Sequence, residues 1–374
     1  MEHQHLGNYI RPVDIRNREL KVTKLVGLTI DKAFIPSVAN VIGTDLSNYK
    51  VIRREQFACS LMQVSRDGKI PIAMFEEDEA IMSPAYPMFE VIDKTVLLPQ
   101  YLMMWFSRSE FDREASYYAV GGVRGSLTWE DFCNMKLPVP SIARQREIVA
   151  EYETLANRIR LNEQMIEKLE ATAQALYRKM FVEGVDKENL PEGWRRGHLT
   201  DIATYLNGIA CQKYETKEEP YLPVLKIREL SQGHCDDNSD HVEIAIPKEY
   251  VINNGDVIFS WSATLFIDFW CGGRCALNQH LFKVTSEKYP KWYYYLWTQY
   301  HIAEWKRLIS AKATSMGHIK REDLELAEVI IPSSSSMKEY DETMNPIFDI
   351  YIQKKQENLK LTELQSLLLA RMGK

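Results

Sequence analysis

The sequence predicts an α+β fold in which two pseudo-repeated α/β domains are separated by a pair of long antiparallel coiled-coil helices. Three observations predict it: the second half of the chain echoes the first, each half begins with strand-like segments, and each half ends in a heptad-spaced stretch. We place the first domain at residues 1–140, the first helix at 141–183, the second domain at 184–332 and the second helix at 333–374.

The repeat is clearest where each domain is predicted to end. There "EDFCNMKLPVP" (130–140) is echoed by "EDLELAEVIIP" (322–332), an offset of 192 residues. We interpret both segments as a helical turn and a strand that hand the chain to a long helix. Three upstream parallels have gaps between them: "YKVIRREQFACS" (49–60) with "YVINNGDVIFSW" (250–261), "SPAYPMFEV" (83–91) with "LNQHLFKV" (277–284), and "VTKLVG" (22–27) with "ATYLNG" (203–208). A period of half the chain indicates a pseudo-dimer in one polypeptide.

Each half has the same order of elements. Short apolar segments broken by Gly, Pro, Asn and Asp predict strands and turns. An aromatic, helix-like segment follows, opened by Pro99 in the first half and Pro290 in the second. The aromatic run of the second half, "WYYYLWTQYHIAEW", has a spacing that predicts a buried helix face; base stacking on single-stranded nucleic acid is the alternative.

The long helices give the clearest periodic signal. Seam positions recur at alternating spacings of three and four, which predicts a coiled coil in which each helix is the partner of the other. In the first helix the predicted seam is Tyr152, Leu155, Ile159, Asn162, Ile166, Leu169, Ala173, Leu176 and Met180. In the second it is Met344, Ile347, Tyr351, Lys354, Asn358, Leu361, Gln365, Leu368 and Met372. Pro140-Ser141 and Pro332-Ser333 are expected to cap the two helices.

Polar residues at three seam positions leave two arrangements open. Asn162, Lys354 and Asn358 in the seam would cost stability but fix the register of the pair. Alternatively, the second helix rotates to use Ile350 and Leu364, which leaves the polar groups at the rim.

Composition limits the class of protein. With 374 residues of which 45% are hydrophobic, the chain is long enough to bury a sizeable core. Its apolar runs are too short to span a membrane, and the N-terminus lacks the pattern of a signal peptide, so we expect a cytoplasmic protein whose first residues, with His3 and His5, form a mobile tail. A net charge of −6 is untypical of a lone non-specific nucleic-acid binder; any such role must be local or shared with a basic partner.

Few residues suggest catalysis or metal binding. The six cysteines form no CxxC pair, and "CGGRC" (271–275) is interpreted as a turn between strands, with a zinc site including His280 as the alternative. The chain has no phosphate-binding loop, dinucleotide fingerprint, zinc-protease motif or nucleophile elbow. The sequence therefore favours binding over catalysis, with no catalytic residue and no metal assigned.

Three segments resemble one protein family. They are "LPEGWRRGHLTDIA" (190–203), "NQHLFKV" (278–284) and "GSLTWEDFCNMKLPVPSIARQREIV" (125–149). Together with the two-fold repeat they resemble the specificity subunits of type I restriction–modification systems, which serve DNA methylation and host defence. Two departures stand out: the first half begins with "YIRPVDIRNREL" in place of "LPEGW", and the second long helix begins with "SSSSMKEYDETM" without the glutamine.

The resemblance implies a function. Each domain would be a target recognition domain that reads one half of a gapped, bipartite double-stranded DNA site, with half-sites about one turn apart. The helices would act as conserved spacers around which two methyltransferase subunits dock. Restriction and translocation would belong to a further subunit type. S-adenosylmethionine, ATP and Mg²⁺ would then bind to partner subunits, and this chain would need no cofactor of its own.

Candidate DNA-contacting residues lie in loops and carry the donors and acceptors that read base edges or phosphates. The loops before the repeated acidic motif supply Arg124, Gly125, Ser126, Lys312, Thr314, Ser315, His318 and Lys320. Phosphate contacts are predicted for Arg53, Arg54, Arg66 and Lys69, and further contacts for Ser260, Gln279 and His280. Two alternatives remain: a coiled-coil scaffold without DNA specificity, and a methyltransferase-specificity enzyme with an unrecognised active site.

Overall fold

The computed structural model describes residues 3–373 except 40, 42, 63, 120–124 and 312–317, and it leaves out the side chains of 308–311. The chain divides into two compact units. The first unit comprises Met1–Arg158 and Leu361–Lys374, and the second comprises Ile159–Lys360. The division therefore falls inside both long helices.

The first unit contains short strands followed by helices. Its strands are β1 (His3–His5), β2 (Ile10–Pro12), β3 (Val26–Leu28), β4 (Phe34–Pro36), β5 (Lys50–Arg53), β6 (Phe57–Cys59), β7 (Ile72–Met74), β8 (Glu79–Met82), β9 (Met88–Val91) and β10 (Lys136–Pro138). Its helices are α1 (Val64–Asp67), α2 (Pro99–Phe106), α3 (Ser109–Ala119), α4 (Trp129–Asn134) and the start of α5 (Ile142–Tyr177).

The second unit resembles the first in the order of its strands and in the helices that follow them. Its strands are β11 (Arg195–His198), β12 (Thr204–Asn207), β13 (Tyr221–Leu225), β14 (His241–Glu243), β15 (Val251–Ile252), β16 (Val257–Ser260), β17 (Phe266–Phe269), β18 (Cys275–Leu277), β19 (Leu281–Thr285) and β20 (Glu328–Ile331). Its helices are α6 (Leu199–Ile202), α7 (Ile227–Gln232), α8 (Lys291–Ala311), α9 (Arg321–Leu326) and most of α10 (Ser334–Arg371).

The sheets of the two units have the same topology. An antiparallel sheet of order β2-β9-β6-β7 in the first unit corresponds to β12-β19-β16-β17 in the second. The order β14-β13-β18-β15, in which β13 and β18 are parallel, corresponds to β4-β3-β8-β5, in which a parallel bridge joins Leu25 to Ile81. The predicted pseudo-repeat is thereby confirmed at the level of strand order.

The repeated acidic motif closes each unit as predicted. Glu130 lies in α4 and Glu322 in α9, and each helix is followed by a strand, β10 or β20. Strand β10 pairs antiparallel with β1, and β20 pairs antiparallel with β11. Both motifs are therefore scaffold that joins the last strand of a unit to its first.

Two predictions about the first unit are wrong. Residues His3–His5 are not a tail, because they form β1 and the Nδ1 atom of His5 lies 2.9 Å from the carbonyl oxygen of Asn134. The segment 22–27 is not the counterpart of 203–208. Strand β2 borders β9 as β12 borders β19, so Ile10–Pro12 holds that place instead. Only the long-range pairing of strands reveals both points.

Each unit has its own aromatic core. In the first unit, the rings of Phe57 and Phe89 stack with centroids 5.0 Å apart, and Phe132 from α4 lies 5.5 Å from Phe89. In the second, Trp292 to Trp297 at the start of α8 are all buried. Burial of such side chains contributes about 1.5–3 kcal/mol each. The interpretation of the aromatic run as a buried helix face is confirmed.

The long helices begin where the caps predict. The Ser141 hydroxyl accepts a hydrogen bond from the backbone N–H of Arg144 (3.4 Å), and that of Ser333 accepts one from Ser336 (3.2 Å). A side-chain acceptor at this position satisfies one of the orphan N–H groups of the first turn. Helix α5 ends in a π-helical turn at Arg178–Val182.

Within the second unit, the seam between α5 and α10 is polar at its centre. Asn162 is 2% exposed, and its Nδ2 donates to Oδ1 of Asn358 at 2.8 Å. In the π-helical turn that ends α5, the ring of Phe181 lies 5.5 Å from that of Tyr340, which precedes Asn358 on α10, so the helices run antiparallel. Ile350 is 40% exposed, which rules out the rotated arrangement.

The other predicted seam residues divide between the two units. Ile166, Leu169, Leu176 and Ile347 are half-buried against the core of the second unit, in which Tyr351 is buried. Tyr152 and Leu368 pack against the core of the first unit, where Met372 is buried. Leu155, Ile159 and Leu361 are half-buried. Lys354 is half-buried and donates to Glu357 at 2.7 Å.

Membrane-spanning and metal-binding features are not found in the part of the chain that the structure describes. No helix there combines the length and the apolar character needed to cross a bilayer. Those residues also contain no group of three or more His, Cys, Asp or Glu side chains placed to hold a metal ion. In "CGGRC", Gly273 takes a φ of +89°, as suits a turn. The Cys271 thiol donates to the carbonyl oxygen of Ile352 at 3.8 Å.

Candidate nucleic-acid interface

The four predicted phosphate-binding cations of the first unit lie at opposite ends of β6. Arg53 and Arg54 come before the strand, whereas Arg66 and Lys69 follow it. The two pairs therefore lie beyond different ends of β6.

The segment after β6 meets the loop before the acidic motif, and we call residues 60–62, 64–71 and 125–128 the first loop cluster. The backbone N–H of Leu127 donates to the carbonyl oxygen of Leu61 at 2.8 Å. Gly125 has a φ of +72°, and a Cβ at this position would lie 2.0 Å from the Ser65 hydroxyl. The backbone angle favours glycine there, and a side chain would also displace the Ser65 hydroxyl. Gly125 and Ser126 are thus held beside Arg66, while Arg124 lies outside the described residues.

The cations of the first loop cluster are exposed and weakly held. The side chain of Arg66 is 65% exposed and donates to Asp67 at 2.7 Å, a hydrogen bond that raises the pKa of the guanidinium. The side chain of Lys69 is 52% exposed and lies 3.5 Å from Asp31. Exposed ion pairs of this kind contribute about 0–1 kcal/mol, so a DNA phosphate can replace the carboxylate at little cost.

At the other end of β6, acidic residues surround the cations. Arg54 lies 2.8 Å from Asp78 and Arg53 lies 3.8 Å from Glu79, both in the acidic run 76–79. This run disfavours a phosphate contact at Arg53 and Arg54. Near Arg53, a cleft of about 410 Å³ is also lined by Arg16, Arg18 and Lys21, cations that the sequence analysis did not single out.

In the second unit, Trp261 is the centre of the corresponding surface. We call residues 261–265, 278–280 and 318–320, with Asn207, the second loop cluster. The indole N–H of Trp261 donates to Oδ1 of Asn207 at 3.1 Å, and the rings of His280 and His318 each lie 6.0 Å from the indole. The backbone N–H of Ile319 donates to the carbonyl oxygen of Trp261 at 3.0 Å. The fold thus brings together four segments, of which Asn207 and His318 are more than a hundred residues apart in the sequence.

A cleft of about 670 Å³ opens beside Trp261. Its polar lining includes Thr204, Asn207, Lys320 and Arg321. Hydrogen-bond donors, two cations and an aromatic wall are the groups that contact bases and phosphates in protein–DNA complexes. The cleft is therefore suited to a nucleic-acid strand or groove edge.

The other predicted contacts of the second unit are placed differently. Ser260 is fully buried, and its hydroxyl donates to the carbonyl oxygen of Ser262 at 3.4 Å, so its position does not favour a DNA contact. Gln279 is half-buried, with its Nε2 3.4 Å from the Nε2 of His280. Lys312, Thr314 and Ser315 lie outside the described residues.

Sequence reasoning missed Asn207 and Arg321. Arg321 opens α9, next to a predicted contact, Lys320. Asn207 precedes Gly208 at the end of β12, and an Asn-Gly pair at a strand end is a turn signal that marks an exposed polar side chain. That signal was present, but it says nothing about the neighbouring Trp261.

The family model for the type I restriction modification DNA specificity domain matches residues 191–363. The type I restriction enzyme MjaIX specificity subunit of Methanocaldococcus jannaschii is 21% identical over 303 residues, which cover 75% of this chain and 70% of that protein. Both similarities agree with the quoted motifs of the second half.

Two solved structures extend the comparison to the whole chain. The type I restriction–modification system S subunit from M. genitalium has a TM-score of 0.58 at 11% identity, covering 100% of this chain and 96% of that one. The HsdS subunit from Thermoanaerobacter tengcongensis has a TM-score of 0.36 at 18% identity, covering 100% and 96%. The first of these shows a common fold. Residues 191–363 therefore match the DNA specificity domain of type I restriction modification, and the chain as a whole shares the fold of the M. genitalium S subunit.

Proposed function

We propose that this chain reads a bipartite, gapped DNA target, one half-site with each unit, and brings methyltransferase and restriction subunits to it. The observation that carries the proposal is the repeated topology. The sheet β2-β9-β6-β7 and the sheet β12-β19-β16-β17 each have a loop cluster at the end of the third strand, β6 or β16. Two copies of one scaffold with different loops are suited to reading two different short sequences.

The charge of the chain supports a division of labour. Because the net charge is −6, the chain alone is poorly suited to neutralise many phosphates. The exposed cations of the two loop clusters, Arg66, Lys69 and Lys320, are suited to positioning the DNA. Partner subunits would supply the remaining affinity, together with S-adenosylmethionine, ATP and Mg²⁺, and we assign no catalytic step to this chain.

The long helices are the proposed spacer and docking element. The buried Asn162–Asn358 pair fixes the register of α5 against α10 within the second unit. A pair with one register has one length, which suits a gap of fixed size between the half-sites.

The experiment that tests the proposal is a methylation map. The chain is co-expressed with a type I methyltransferase subunit from the same genome, in a host that lacks adenine methylation at other sites. We expect methylated adenines in a single gapped motif. Unchanged methylation, with the complex shown to assemble, contradicts the proposal and favours a scaffold without DNA specificity.

A domain exchange provides the matched control. Replacing residues 1–140 with the corresponding domain of another specificity subunit is expected to change one half of the motif and to leave the other half and the gap intact. A change in both halves contradicts the assignment of one half-site to each unit.

A further inference from the structure

The side chain of Asn207 is held in one orientation by Trp261. The indole N–H of Trp261 lies 3.1 Å from Oδ1 of Asn207. Because an indole nitrogen can only donate, the amide atom that faces it must be the oxygen. The amide orientation, which is often ambiguous, is therefore fixed here by chemistry.

The other end of the amide presents hydrogen-bond donors. Asn207 is exposed at the cleft of the second loop cluster. Within the described part of the chain, the only hydrogen bond of its side chain is the one from Trp261. Its Nδ2 therefore offers two N–H groups to a ligand, while one of the two lone pairs of its oxygen is engaged by the indole.

Both residues of this pair are anchored. Asn207 pairs with Phe282 in the β12–β19 ladder, and the next residue, Gly208, packs so closely that a Cβ there would lie 2.2 Å from the carbonyl oxygen of Asn278. The ring of Trp261 lies 5.8 Å from that of Phe282, and its carbonyl accepts a hydrogen bond from Ile319. A side chain held in this way loses little entropy when it binds, as recognition residues require.

We infer that Asn207 is a specificity-determining residue of the second unit and that it reads a guanine. The usual asparagine contact to adenine uses the oxygen and the nitrogen of the amide together. Here the indole N–H already holds one of the two lone pairs of the oxygen and fixes the amide, whereas both N–H groups of Nδ2 have no partner among the described residues. A contact made through these two donors matches the guanine edge in the major groove, which presents two adjacent acceptors, O6 and N7. This inference rests on the proposed function.

The cations beside Asn207 have a different role. Lys320 and Arg321 line the same cleft, and the side chain of Arg321 is 88% exposed. An exposed guanidinium at the rim neutralises a phosphate and carries no sequence information. Arg321→Gln is therefore the matched control, because it alters the same cleft without touching the amide.

The test uses the complex of the full chain with its methyltransferase subunits. The second half-site is the half that survives exchange of residues 1–140. Asn207→Ala is expected to relax one position of that half-site, a guanine in the wild-type motif, and to leave the first half-site unchanged. Trp261→Phe removes the bond that fixes the amide, so the amide can turn and the same position is expected to accept guanine or adenine. Arg321→Gln is expected to weaken binding at all sites alike and leave the motif unchanged.

A measurement on the unaltered protein removes dependence on the folding of the variants. Each guanine of the second half-site is replaced in turn by 7-deazaguanine, which lacks the N7 acceptor. At one position we expect the affinity of the wild-type complex to fall roughly tenfold. At that position Asn207→Ala is expected to show no further loss.

Three results overturn the inference: an unchanged motif in Asn207→Ala, a relaxed position that is not a guanine, or equal sensitivity of both proteins to every 7-deazaguanine. Its failure is distinguishable from that of the proposed function. If wild type yields a gapped motif and Asn207→Ala does not alter it, only the role assigned to Asn207 is contradicted. If wild type yields no gapped motif, both the proposed function and the role of Asn207 are contradicted.

Discussion

The side-chain nitrogen of Asn162 donates a hydrogen bond of 2.8 Å to the side-chain oxygen of Asn358 at a site where Asn162 is 2% exposed. This pair replaces two apolar seam residues at the centre of a helix pair. A buried polar pair of this kind selects one register, since any shift leaves an amide without its partner.

Replacing one asparagine of the pair is expected to destabilise the protein. Asn162→Leu removes the bond to Asn358 and should lower the free energy of unfolding by about 1–3 kcal/mol. The double replacement Asn162→Leu with Asn358→Leu should recover most of that loss, because apolar pairs pack well in a seam.

Urea denaturation of both single variants and the double variant measures the coupling. The exposed control Ile350→Ala should change stability by about 0.5 kcal/mol or less. Additive single effects would contradict the coupling.

A side chain at Gly125 is expected to displace the first loop cluster. Gly125→Ala places a Cβ 2.0 Å from the Ser65 hydroxyl at a φ of +72°, so the Ser65 side chain or the loop must shift. We expect loss of specificity for the first half-site only, measured by the methylation map. Gly68→Ala is the control, because Gly68 has a φ of +67° and nothing within 4 Å of the added atom. It should cost about 1–2 kcal/mol from the backbone angle alone and keep the motif. Equal effects of both variants would count against the packing argument.

Arg66 and Arg54 are expected to differ in DNA binding although both are exposed and both form an ion pair with a carboxylate. Arg66→Gln should weaken DNA binding by the methyltransferase complex. It should also reduce the slope of log affinity against log salt concentration by about one, the equivalent of one released counterion. Arg54→Gln should have little effect, because Arg54 lies at the other end of β6 beside the acidic run. Affinity for a target duplex at several salt concentrations measures both. A larger effect of Arg54→Gln would reverse the assignment of the DNA-facing edge.

His301 is expected to make stability fall in mild acid. Burial lowers the pKa of this histidine below its usual 6.5, against the opposing effects of its hydrogen bond to the Glu328 carbonyl and of the Glu304 carboxylate. As the pH falls through 6.5, the unfolded chain binds the proton before the folded chain does, so the folded state loses stability until the pH is below the folded pKa. The slope is at most about 1.4 kcal/mol per pH unit.

The variant His301→Gln isolates this contribution, since a glutamine amide retains a donor near the Glu328 carbonyl. Urea denaturation between about pH 5 and pH 7.5 should show a shallower loss of stability in the variant than in wild type. Parallel curves would contradict the role of His301. The two histidines of the first half, His3 and His5, are exposed, so neither is expected to contribute to the acid-dependent loss of stability by burial.

Much of the scaffold was predictable from local pattern. Ser141 and Ser333 marked the helix starts, since a cap acts on its own first turn. Alternating spacings of three and four predicted that Ile166 and Leu169 lie in the seam, because residues at these spacings share one face of a helix. The strand β1 was missed because three residues without apolar alternation have no local signature. Its pairing with β10, more than a hundred residues away, makes it a strand.

The sequence by itself determined the two-fold repeat, the order of elements and the ends of the long helices, because these follow from caps, turns and periodicities within a few residues. Only the tertiary structure decided which side chains share a surface. Arg54 and Arg66 are close in sequence but lie at opposite ends of β6, whereas Asn207 and Trp261, 54 residues apart, are hydrogen-bonded. The physical reason is that strand pairing sets these neighbours, and pairing between distant segments leaves no periodic trace in the chain.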